Sequence, residues 1–182
     1  MSRFLSTVHQ VQDQVQTWDT YWCLRLNRYS TRLAVARSFK VISRLGDGWF
    51  WYGLTVLAFA LTGVHSVMLL IQTWLTSGLG LAIYKLLKHK TLRPRPYQVH
   101  QAIMLGERPL DHFSFPSGHT LHAVLFTIMF GTFFPVLLPI LVPFMLLVAL
   151  SRVVLGLHYP TDVMMGAVIG AVLAGVSLCF SL

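Results

Sequence analysis

Charge is absent from three long runs of the chain. No Asp, Glu, Lys or Arg occurs among the 36 residues from Trp49 to Tyr84, the 40 residues from His112 to Ser151, or the stretch from Val163 to Leu182. One helix needs about 20 apolar residues to cross a bilayer core of ~30 Å. The first run therefore predicts two helices turning near Gly63 to Ser66. The second contains Pro135, Pro139 and Pro143 and predicts a hairpin turning around Pro135 to Pro139. Thr161 to Leu182 supplies a fifth span, with Gly166, Gly170 and Ala174 four apart on one face, a small-residue seam suited to close packing inside a bundle.

The N-terminal pattern differs. Phe4, Val8, Val11, Val15, Trp18 and Trp22 step by three and four, while Gln10, Asp13, Gln14 and Thr17 fall on another face, which predicts an amphipathic helix lying flat. Arg25, Arg28 and Arg32, then Arg37, Lys40 and Arg44, repeat the spacing as basic faces beside Leu33, Phe39 and Ile42. Such faces suit anionic headgroups, packing on the bundle, or both. Gly46, Asp47 and Gly48 break the pattern. The predicted organisation is an amphipathic, basic interfacial segment over residues 1–48 and a transmembrane catalytic domain over 49–182. The fold class is all-α, a polytopic membrane helix bundle with about five transmembrane helices.

Composition agrees: 55% of the 182 residues are hydrophobic and 11% charged, against roughly 25% charged in soluble domains. A secreted domain, a disordered tail and a nucleic-acid module are excluded, despite a net charge of +8. Cys23 and Cys179 are too far apart in sequence to imply a disulfide framework or a zinc site. The start is rich in Gln and Thr and reads as mature protein, not as a cleavable signal.

With five spans, all 14 Lys and Arg fall on one side of the membrane. The positive-inside rule then predicts a cytoplasmic N-terminus and motif face. A sixth span within residues 20–45 would reverse this, against the cost of burying Arg25, Arg28, Arg32, Arg37 and Lys40. The 33 residues from His119 to Ser151 must cross and return. At ~1.5 Å per residue each leg reaches about 25 Å, so the ends of this hairpin are expected below the outer limit of the headgroups, in a shallow polar pocket.

Three clusters share that face: Lys88 with Arg95 and Pro96; Pro116, Ser117, Gly118 and His119; and Ser151, Arg152, His158 and Asp162. Lysine and arginine side chains supply charge and forked donors for a phosphoryl group. Pro116 to Gly118 reads as a helix start whose free N–H groups favour an anion. His119 and His158 remain for proton transfer or attack, and Asp162, four residues after His158, is placed to orient its imidazole. Neither paired carboxylates nor clustered thiols offer a metal site, so metal-free phosphoryl transfer fits better. The other histidines (His9, His65, His89, His100, His112, His122) and Lys85, Lys90 and Arg93 read as structural or interfacial. No motif residue lies in the first 20 positions, so their deletion is expected to affect surface positioning and stability more than chemistry.

The combined pattern resembles the type 2 phosphatidic acid phosphatase (PAP2) family, related to vanadium haloperoxidases and bacterial acid phosphatases. That family's signature is Lys, six residues, Arg-Pro; Pro-Ser-Gly-His; and Ser-Arg, five residues, His, three residues, Asp. Lys88, Arg95, Pro96, Pro116, Ser117, Gly118, His119, Ser151, Arg152, His158 and Asp162 match every fixed position. The resemblance, over about residues 50–182, implies that His158 attacks phosphorus to give a phosphohistidine and that Asp162 holds and polarises it. His119 would protonate the leaving oxygen and then activate water. Lys88, Arg95, Arg152, Ser117 and the Gly118 amide would bind phosphoryl oxygens, with Pro96, Pro116 and Ser151 supporting the motifs.

It implies no cofactor, and a cell-membrane location of the bacterial inner-membrane type. The substrate would be a phosphorylated membrane lipid: a polyprenyl phosphate or diphosphate, phosphatidylglycerophosphate, phosphatidic acid or a lipid A type phosphate. Headgroup choice is expected in Gln98 to Phe115, with Asp47 and Trp49 to Trp51. A non-catalytic lipid-binding or lipid-moving protein on the same scaffold is the alternative, and a vanadate-dependent haloperoxidase a third. Membrane members of the family typically have six spans, and many bacterial relatives work on the periplasmic face. Here the amphipathic N-terminal helix stands in place of the first span, so that topology does not carry over.

Overall fold

The uncharged runs fold into helices that return on one another. The computed structural model describes residues 2–180. The side chains of Phe4 and Val8, and the last two residues of the fifth expected span, lie outside the described residues. Among the described residues there are eight α-helices and no strand: α1 (Ser2–Asn27), α2 (Leu33–Arg44), α3 (Phe50–Thr62), α4 (Val67–Thr91), α5 (Pro96–Val99), α6 (Gly118–Phe133), α7 (Leu138–Val154) and α8 (Pro160–Cys179).

α3 and α4 form the first antiparallel pair, joined by the turn Gly63–Ser66, where Gly63 takes a φ of 57° that side chains disfavour. Tyr52 stacks on Trp74 with centroids 5.0 Å apart, and Trp74 Nε1 donates to Thr55 Oγ1 at 3.2 Å. The second pair, α6 and α7, turns through Pro135–Leu137. These legs have 16 and 17 residues, about 25 Å each at ~1.5 Å per residue, as short as their sequence requires.

α8 lies parallel to α6 through its small-residue face. A Cβ at Gly166 would run into the carbonyl oxygen of Ser117, and one at Gly170 into that of Leu121. Ala174 is fully buried. Trp51 stacks on Phe126 at 5.0 Å, and Leu121, Leu125, Met129 and Val148 complete a dry core.

Outside this core the apolar side chains stay exposed, among them Val56, Leu61, Met68, Leu75, Ile140 and Val172, the inverse of a soluble protein's surface. Among the described residues three stretches are long and apolar enough to cross a membrane: residues 33–99, which contain the α3/α4 pair, residues 135–154 and residues 160–179. α6, at 16 residues, is shorter than a full crossing.

α1 departs from a helix resting freely on a surface. Its expected stripe faces away from the bundle, with Val11, Val15 and Trp18 exposed, and Gln10, Asp13, Gln14 and Thr17 are exposed too. A third face, Asp19, Cys23 and Asn27, is buried against the bundle. Asn27 Nδ2 donates to the carbonyls of Val154 and Met104, both at 2.9 Å, and its Oδ1 accepts from Met104 N at 2.8 Å. On α2, Lys40 and Arg44 pair with Glu107 at 3.6 and 3.2 Å.

Candidate active site

The three sequence clusters meet where α4, α6, α7 and α8 end on one side of the bundle. Lys88 projects from the last turns of α4, which Leu92 terminates in a left-handed conformation. Arg95 caps the short α5, its N–H donating to Gln98 Oε1 at 2.8 Å, and Pro96 is the first residue of that helix. Arg152 ends α7. The chain then turns through Gly156, at φ 72°, where a Cβ would lie 2.8 Å from the Met104 carbonyl, so glycine is required. The amides of Leu157 and His158 both donate to the Arg152 carbonyl at 3.0 Å. This turn carries His158 back toward the arginines.

Lys88, Arg95, Gly118, His119, Arg152 and His158 line one cavity of about 370 Å³. The Arg95 guanidinium is buried, donating from Nη1 to the Leu157 carbonyl at 2.7 Å and lying 3.3 Å from His158 Nε2. Arg152 is buried with Nη1 2.5 Å from Ser43 Oγ, and its Nε has no hydrogen-bond partner. Burial, then the charges of Arg95, Arg152 and Lys88, hold the His158 imidazole well below its ordinary range. Both causes favour the uncharged form of the ring.

Two carboxylates complete the pocket. Asp111 accepts from Lys88 Nζ with both oxygens at 2.7 Å and from Arg95 Nη2 at 2.7 Å. Burial alone would raise the Asp111 carboxyl, but Lys88 and Arg95 outweigh it and hold the group below the usual carboxylate range. Asp47 pairs with His119 Nε2. It is placed there by the π-helical turn Leu45–Trp49, in which Gly46 packs against Val148 and Gly48 takes a φ of 136°. Besides the charged groups, Trp51, Tyr52, Trp74 and Phe126 also line the cavity.

Not every expected residue reaches the cavity. Ser117, expected on a phosphoryl oxygen, is fully buried as the N-cap of α6, its Oγ 2.9 Å from Thr120 Oγ1 and 3.4 Å from Thr120 N. The Pro116 to Gly118 segment does start a helix, and its serine is turned into capping that helix. Ser151 Oγ likewise donates to the Val148 carbonyl at 2.6 Å. Asp162 lies 3.8 Å from His158 Nδ1, beyond hydrogen-bond distance, and Nδ1 has no partner. Instead its carboxylate accepts from Tyr159 N at 2.8 Å and Arg93 Nη1 at 2.6 Å. Arg93 also reaches Asp19 of α1 at 2.7 Å. The sequence marks the segments holding Asp47 and Asp111 but gives neither a partner, and Arg93 reads there as structural or interfacial. Nothing in the local pattern of α1 distinguished Asp19 from the exposed Asp13.

The bundle defines a multi-pass membrane protein whose buried cationic pocket also holds two histidines. Residues 49–182 match the PAP2 superfamily, and the chain belongs to that superfamily. It is similar to undecaprenyl-diphosphatase BcrC of Bacillus subtilis, 33% identical over 125 residues, which are 68% of this chain and 64% of that protein. The chain thus spans just under two thirds of that relative's length. It is also similar to decaprenylphosphoryl-5-phosphoribose phosphatase of Mycobacterium tuberculosis, 34% identical over 148 residues, 79% of this chain and 77% of that one. Two solved structures share the fold. The PAP2 type phosphatidylglycerolphosphate phosphatase of Bacillus subtilis has a TM-score of 0.75 at 24% identity, covering 92% of this chain and 86% of that one. LpxE of Aquifex aeolicus has a TM-score of 0.68 at 24% identity, covering 85% and 92%.

Proposed function

We propose that the chain is a lipid phosphate phosphatase that removes a terminal phosphate from a polyprenyl phosphate or diphosphate without a metal ion. The observation that carries this reading is the His158 ring, its Nε2 3.3 Å from Arg95, sharing with Lys88, Arg152 and His119 one cavity whose lining also holds aromatic side chains. Phosphoryl oxygens bind the three cations and the Gly118 amide, which supply the charge neutralisation a divalent ion would otherwise give. His158 Nε2 forms a bond to phosphorus as the bond to the leaving oxygen breaks, and His119 gives that oxygen its proton. Water then gives a proton to His119 and attacks phosphorus, releasing phosphate and restoring His158.

Two named relatives support a prenyl lipid over a glycerolipid or a lipid A type phosphate. The apolar part of the cavity lining, Tyr52, Trp74 and Leu81 among it, suits a flexible unsaturated chain. Phosphate release by purified protein is the test, with undecaprenyl diphosphate and monophosphate, phosphatidylglycerophosphate, phosphatidic acid and lipid A 1-phosphate compared. Prenyl substrates turn over fastest. Release from none of them, or from the glycerolipids alone, overturns the reading.

The membrane is the bacterial inner membrane, and α1 lies against anionic headgroups through the exposed Val11, Val15 and Trp18 beside Arg25, Arg28 and Arg32. The placement of all 14 Lys and Arg on the motif side supports a cytoplasmic site. In a background lacking Cys23 and Cys179, Gln98→Cys stays unlabelled by an impermeant thiol reagent in intact cells. Labelling there reverses the orientation.

A further inference from the structure

Every charge that surrounds the His158 ring inside the cavity is positive or shared. Lys88, Arg95 and Arg152 face it, Asp111 is bound up by Lys88 and Arg95, and Asp47 is paired with His119 across the pocket. The remaining carboxylate beside it is Asp162, 3.8 Å from Nδ1. Arg93, however, sits directly on Asp162, with Nη1 2.6 Å from Oδ1 and the guanidinium 4.1 Å from the centroid of the Tyr159 ring. A lone Arg93 would cancel the charge that a developing imidazolium or phosphohistidine needs.

Asp19 of α1 changes that balance. Its side chain is fully buried, and it accepts from Arg93 Nη2 at 2.7 Å, Thr161 N at 3.0 Å and Thr161 Oγ1 at 2.5 Å. Asp19 and Arg93 neutralise each other, and the three-group chain keeps one net negative charge, on Asp162. The neighbours of Asp19 on α1 hold the same turn: Cys23 Sγ lies 3.6 Å from the His158 carbonyl, and Asn27 bonds to Val154.

We propose that Asp19 and Arg93 are positioning residues for the nucleophile, acting through Asp162, so that the N-terminal helix is part of the catalytic apparatus. The proposal rests on the reading of His158 as the nucleophile. As Nε2 bonds to phosphorus, the ring acquires positive charge, and Nδ1–H closes on Asp162 Oδ2 toward ~3.0 Å. The net charge of the buried chain sets how strongly that contact forms.

The test compares Asp19→Asn, Arg93→Gln, Arg93→Lys and the double variant Asp19→Asn/Arg93→Gln in purified full-length protein. Wild-type phosphate release and its loss in His158→Ala are measured first; failure there defeats the proposed function rather than this proposal. Each charge-removing single variant lowers kcat by about tenfold or more, the scale of losing a partner behind an active-site histidine. KM and inhibition by vanadate stay unchanged, because Lys88, Arg95 and Arg152 are untouched. The double variant restores the net charge and has a higher kcat per folded molecule than either single, while KM stays unchanged in all three, a split that relief of an unpaired buried charge through stability alone does not produce. Arg93→Lys keeps the charge, falls between wild type and Arg93→Gln, and carries the test should Asp19→Asn not fold. Wild-type kcat in the singles, a loss tracked by KM and vanadate binding, or a double variant worse than both overturns the proposal.

Discussion

α1 and α8 flank the same turn and each presents an aspartate to it, yet they are held by opposite means. α8 is apolar along its length and meets α6 backbone to backbone, with Gly166 and Gly170 leaving no space for a side chain. α1 turns its apolar stripe outward and docks through Asp19, Cys23 and Asn27. The apolar helix is fixed by shape. The amphipathic one is fixed by a few polar contacts, whose net worth of ~0.5–1.5 kcal/mol each hides a larger cost when one partner is left buried and alone. Substitution on α8 should therefore act through packing, and on α1 through particular atoms.

The largest effect lies between the two helices. His158→Ala and His119→Ala should each reduce turnover by about 10³-fold or more, since in the proposed mechanism one removes the nucleophile and the other the proton carrier. Phosphate release is the measurement, with thermal unfolding showing both proteins to be folded. Substantial activity in either would dissolve the comparison, because the turn would no longer be the place where α1 and α8 matter.

On α8, Gly170→Leu should be the most damaging change outside the site. Its Cβ meets the Leu121 carbonyl, a backbone atom that cannot swing aside, and forcing methylene groups into such a contact costs typically ~1–3 kcal/mol or more. A clear fall in melting temperature is expected. Gly175→Leu, where nothing lies within 4 Å, should leave it almost unmoved. Equal stability of the two would mean that the seam is not what seats α8.

On α1, removal of residues 1–10 should leave kcat near wild type, whereas removal of residues 1–20 takes Asp19 away and lowers kcat about tenfold. This outcome would run against the expectation that deleting the first 20 residues affects surface positioning and stability more than chemistry. An equal kcat for the two truncations would restore that expectation.

What the sequence disclosed follows the same division. The hairpin turns at Gly63–Ser66 and Pro135–Leu137, the short α6 and α7 legs and the α8 seam were all legible, because each follows from length, proline or residue size. Lys88, Arg95, His119, Arg152 and His158 were legible because their spacing is a pattern. Ser117 was misplaced because an N-cap and an anion ligand use the same residue at the same position. Asp19, Arg93 and Asp111 were illegible because their partners lie 74, 69 and 23 residues away, and no local pattern distinguishes a buried ion pair from a solvated charge.

The smallest effect concerns Asp111, where the chain itself occupies the cations. Its carboxylate spans Lys88 and Arg95 at 2.7 Å, the place the mechanism assigns to phosphoryl oxygens. A bound substrate must take over those donors while Asp111 withdraws toward the solvent that already reaches part of it. Asp111→Asn removes the competing charge without changing the shape, so KM for the lipid phosphate and the inhibition constant for vanadate should both fall about threefold, a fraction of a charge-assisted hydrogen bond. The cost is looser cations, read as a small decrease in kcat. A rise in both constants would show instead that Asp111 holds Lys88 and Arg95 in place for the phosphate, as Asp19 holds Arg93. The cationic side of the pocket would then depend on a polar strap in the same way as the turn that carries His158.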